Sequence, residues 1–101
     1  MAAIVKLSNM STTEANRLFP FQFENDLISG ATITAVTATH TPPSGTAGTC
    51  TASFTGTLVY VSLDAVTVLG THQIDCIATV DNAGSLPIEE LSIRGWFVVE
   101  Y

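Results

Sequence analysis

The sequence predicts an all-β chain, folded as a two-layer antiparallel β-sandwich of about seven short strands behind an N-terminal arm. Three observations carry that prediction. Branched and apolar residues recur with a period of two, turn-forming residues punctuate the chain roughly every 8 to 12 positions, and helical periodicity is almost absent. A small closed barrel is the alternative arrangement of the same strands. The length of 101 residues suits one domain, enough to bury roughly two-thirds of the unfolded surface.

Residues 1–18 read as the arm and 19–101 as the sandwich domain. The arm opens on the apolar AAIVKLS, and Ser11 followed by Glu14 matches a capping box, in which the serine oxygen and the glutamate satisfy each other's backbone N–H groups. That pattern predicts either a single helical turn over 12–17 or an irregular arm. From Phe19 the period becomes two, placing Phe19, Phe21 and Phe23 on one face. Pro20 cannot donate to a ladder, so this strand belongs at a sheet edge or starts at the proline.

NDLISG then turns the chain, with Gly30 free to take a positive φ. ATITAVTATH is a strand by its β-branched content, although both of its faces carry small or branched residues and the buried one is not evident. Pro42, Pro43, Gly45 and Gly48 mark a loop. CTASF pairs with LVYVSL across a turn at Gly56. In THQIDCIATV, His72, Ile74, Cys76, Ala78 and Val80 share a face. After the hairpin loop DNAGS, Leu91, Ile93, Phe97 and Val99 alternate with Glu90, Ser92, Arg94, Trp96 and Glu100, and Gly95 marks a bulge or a close approach.

The chain is 47% hydrophobic and only 12% charged, against about 25% charged residues in a typical soluble domain. Such a surface is expected to meet a partner. Three basic against nine acidic residues give a net charge of -6, the wrong sign for neutralising phosphates, so nucleic-acid binding is not expected. The start of the chain lacks a secretory pattern and no stretch is long and apolar enough to span a membrane, so the expectation is a protein made in the cytoplasm. In that compartment Cys50 and Cys76 are expected as buried thiols, with a disulfide as the alternative.

Catalytic chemistry is not evident. His72 and Cys76 share a strand face but lie about 13 Å apart along it, while Asp75 points the other way. Neither a metal nor another cofactor is predicted, since His40 and Cys50 flank a loop and would have to be imported. Glu89 and Glu90 project to opposite faces and do not form an acid–base pair. No phosphate-cradling glycine loop and no nucleophile elbow occurs, so no enzyme is predicted. The candidate partner-binding residues are Ile4, Val5 and Leu7 of the arm, with Trp96 and the terminal Tyr101. Trp96 either anchors an interface or caps the far side of the sandwich.

FENDLISGATITAVTA resembles the opening of small immunoglobulin-like proteins of tailed bacteriophages, in which D-L-x-x-G-x-x-I precedes the second strand; Asp26, Leu27, Gly30 and Ile33 match it. GTHQIDCIATVDNAG is similar to their penultimate strand and hairpin, with Gln73 and Ile74 in place of the usual aromatic. The resemblance runs from about Phe21 to Val99, leaving the arm without a counterpart. An immunoglobulin-type core is not implied, because Trp96 follows both cysteines instead of lying between them.

The resemblance implies an Ig-like sandwich and a structural virion protein. The first expectation is a capsid decoration or cement protein that stabilises the phage head by binding major capsid subunits, as a homo-oligomer, with the arm laid on a neighbour. The second is a component of the head-to-tail junction or tail. A carbohydrate- or cell-surface-binding module is the third, although few aromatics are available to build such a site.

Overall fold

A strand that buries one face places its inward residues at every second position, and β-strand alternation of that kind runs through the two longest strands of this chain. The computed structural model describes residues 2–14, 16–23, 27–28, 30–64, 66–82, 84 and 86–101. Its strands are β1 (Ala2–Lys6), β2 (Met10–Ser11), β3 (Arg17–Gln22), β4 (Thr32–Thr41), β5 (Gly48–Thr55), β6 (Leu58–Leu63), β7 (Gly70–Asp81) and β8 (Glu89–Glu100). No helix occurs among the described residues.

The strands join in the order β1-β8-β7-β4-β5-β6-β3, with β2 also on β8. The expected all-β class holds, but the sheet is mixed and not wholly antiparallel: β1 and β2 run parallel to β8. The arm supplies this difference. It covers the edge amides of β8 that would otherwise be left without partners.

β5 bends the sheet. Gly48–Cys50 pair with β4, whereas Thr51–Thr55 pair with β6, so one strand serves two neighbours in succession. The sheet curls into a half-barrel, and Phe19 of β3 stacks on Phe97 of β8 with ring centroids 4.7 Å apart. Phe19, Phe21, Phe23, Val59, Val61, Ile74, Cys76, Val80 and Phe97 fill the interior. The alternations read in β3, β7 and β8 therefore face inward as expected, and Pro20 lies on a terminal strand.

The turn after Phe23 is partly covered by the described residues. Gly30 has φ 85° and Ile33 is buried, while Asp26 of the D-L-x-x-G-x-x-I match lies outside them. In the DNAGS loop, Ala83 and Ser85 also lie outside them, and Gly84 has φ 74°. A register shift between Ile33 and Ala35 explains why β4 shows no clear face by alternation. The buried parity changes at that bulge, from Ile33 to Ala38.

The capping pattern in the arm is real but does not start a helix. Ser11 N–H donates to Glu14 Oε1 at 2.8 Å and Thr13 N–H donates to Ser11 Oγ at 3.2 Å. Asn16 then takes φ 56° and the chain enters β3 at Arg17, so the box closes a tight turn only. Between β1 and β2, Leu7 N–H donates to Trp96 O at 2.8 Å, and Asn9 Oδ1 accepts from Val98 N–H at 3.2 Å in place of a backbone carbonyl.

Gly95 is a close approach and not a bulge, since its register with Ile74 is unbroken. A Cβ there would lie 2.6 Å from Leu7 Cδ1 and 3.0 Å from Phe21 Cε2. The missing side chain is what lets the arm and β3 both press on β8.

Candidate functional site

Parallel pairing of β1 with β8 sets Ile4 beside Arg94 and Lys6 beside Trp96. On this outer face Ile4 is 70% exposed and Trp96 37% exposed. Lys6 Nζ stands 4.9 Å from the Trp96 ring centroid and donates to Asn9 Oδ1 at 2.7 Å. Such a cation over an indole face holds both groups in place.

Across the next strand pair, Arg94 Nε donates to Asp75 Oδ1 at 2.8 Å, and Gln73 Nε2 donates to Asp75 Oδ2 at 2.8 Å. An exposed ion pair of this kind adds little stability, but it fixes the orientation of Arg94. Ile77 is partly exposed one step further along β7. The face thus presents apolar Ile4, Trp96 and Ile77 among ordered polar groups on a rigid ladder.

The expected partner-binding residues divide between two faces. Ile4 and Trp96 share the outer side. Val5 and Leu7 alternate to the other, where Val5 stays partly exposed at the rim of a groove of about 320 Å³ between β1 and β3. Leu7 is a core residue packed against Gly95, which corrects its expected place on the surface: parity along β1 turns it inward. Tyr101 is almost fully exposed beyond the end of β8.

A second feature joins β4 and β7. His72 is fully buried, and its Nε2 lies 2.7 Å from Val68 O; a carbonyl only accepts, so Nε2 carries the proton. In the tautomer with the proton on Nε2, Nδ1 is the acceptor. His40 Nε2–H therefore donates to His72 Nδ1 at 2.8 Å.

The two imidazoles stack 5.0 Å apart, and His72 stacks on Phe97 at 5.3 Å. Burial, and then the neighbouring His72, push the His40 pKa below its usual value. His40 also borders a cavity of about 590 Å³ shared with Cys50, Asp64 and Val68. Among the described residues no three metal-ligating side chains gather. The pair's signal in the sequence was limited to His72, which shares a strand face with Ile74, Cys76, Ala78 and Val80; a buried polar ring demands a hydrogen-bond partner.

Cys50 and Cys76 are both free and both oppose Ala38, from strands on either side of β4. Two strand spacings separate them by about 10 Å, beyond the roughly 7 Å that a disulfide spans. Burial pushes the Cys76 thiol up to about 12 and raises Cys50 as well. Neither is a ready nucleophile at neutral pH.

Comparison with known proteins finds no matching family model and no matching curated protein.

Proposed function

We propose that this chain is a structural virion protein of a tailed bacteriophage, a capsid decoration or cement protein that binds major capsid subunits through the outer face of β8 and β1. The observation that carries the proposal is the exposed Ile4 and Trp96 on one rigid ladder, with Lys6 and Arg94 already oriented. Ordered aromatic and apolar anchors bury large area at small entropic cost, as a permanent structural contact requires.

The finer fold reading belongs with this proposal. Pairing of β3 with β6, β4 with β7 and β7 with β8, a first strand parallel to the last, and a β5 shared between the two ends of the sheet all support an Ig-like sandwich. That fold alone does not define function, so the bacteriophage reading rests on the sequence resemblance.

The test is the copy number of the chain in purified virions relative to the major shell subunit, measured by quantitative mass spectrometry. Decoration predicts a ratio of one or a simple fraction of it. A ratio of a few per cent moves the chain to the neck or tail, and absence from the particle refutes a virion role. Deleting the arm would be a poor test of docking, because Leu7 belongs to the core.

A further inference from the structure

The two ends of the sheet are unequal. β3 carries Pro20 in its middle, which removes a donor from that edge. β1 is the other terminal strand, and its register with β8 runs from Ala2 to Lys6 without a bulge or proline. An edge without those guards is a template for another strand.

The hydrogen bonding of β1 shows which groups are open. Leu7 N–H points to β8, where it donates to Trp96 O. Backbone direction alternates along a strand, so Val5 and Ala3 also face β8, while Ala2, Ile4 and Lys6 aim their N–H and C=O groups away from it.

We propose that this edge pairs with the β1 edge of a second copy, antiparallel about a two-fold axis at Ile4. In that register Ile4 opposes Ile4 of the other copy, and Ala2 and Lys6 oppose each other twice. Every outward N–H and C=O of β1 then finds a partner.

The register also avoids the like-charge pair that would oppose such an edge, because Lys6 meets Ala2 and not a second Lys6. The added strand runs along the mouth of the groove between β1 and β3, where Val5 and Leu18 are exposed. Head-to-tail growth from β1 onto β3 is disfavoured by Pro20, so the assembly closes at two copies.

Analytical ultracentrifugation of the full chain across concentration tests this, independently of any particle. The wild type is expected to rise from 10.6 kDa toward twice that mass. Ile4→Lys sets two ammonium groups opposite each other on the axis and is expected to stay monomeric. Ile4→Pro deletes the central outward donor without touching a bond to β8, and is expected to do the same; circular dichroism reports whether each variant keeps its sheet. A wild type that remains monomeric overturns the proposal, as does a folded Ile4→Lys that retains the wild-type mass.

Discussion

His40, hydrogen-bonded to His72, shows how one side chain can make stability depend on pH without any catalytic role. Burial lowers the folded pKa of His40 below its ordinary 6.5, so the unfolded chain binds more protons between those two values. The contribution is fully present above about pH 6.5 and is lost as pH falls through the folded pKa. Thermal unfolding followed from about pH 8 to about pH 5 is expected to show a falling midpoint over the lower part of that range. His40→Gln is expected to flatten the slope, because it removes the titrating group. An unchanged slope in that variant would assign the acid sensitivity elsewhere. His72 was legible on the face it shares with Ile74 and Val80, but the side of His40 and the contact between the two were not, since 32 residues separate them and only the β4–β7 register brings them together.

The seam between β1 and β8 depends on an absent side chain. Gly95→Ala places a methyl carbon 2.6 Å from Leu7 Cδ1 and 3.0 Å from Phe21 Cε2. Overpacking of this kind costs about 1–3 kcal/mol, which denaturant unfolding measures directly. Leu7→Ala in the same background is expected to recover part of the overpacking loss, giving a double-mutant cycle with non-additive energies. Additive losses would mean that Leu7 and residue 95 do not compete for space. The strands themselves were largely readable: Phe19, Phe21 and Phe23 alternate, as do His72 to Val80, and both patterns face the core. The arm's place was not readable, because AAIVK has no alternation that selects a parallel neighbour. The β4 face was hidden by the bulge at Thr34, which shifts parity within one run. Leu7 was misplaced for the same physical reason, since strand parity has meaning only once the strand and its neighbour are known.

At the scale of the molecule, the arm and the remaining strands share one interior. Leu7 and Met10 belong to the same buried cluster as Phe21 and Phe97, although they precede the sandwich boundary read at residue 19. A shared core couples the segments, so loss of the arm should accompany loss of the whole sheet and not precede it. Trp96 offers a local reporter for this, being the sole tryptophan and lying under Lys6 of β1. Far-ultraviolet circular dichroism reports the complete sheet. In urea, the two probes are expected to give coincident transitions with the same midpoint and slope, as a two-state domain does. A fluorescence transition at lower urea would mean that the arm detaches while the rest stays folded, making residues 1–18 a separable unit after all. Coincidence would make the edge strand a part of the fold, and any partner that pairs with it would then be selecting the native domain.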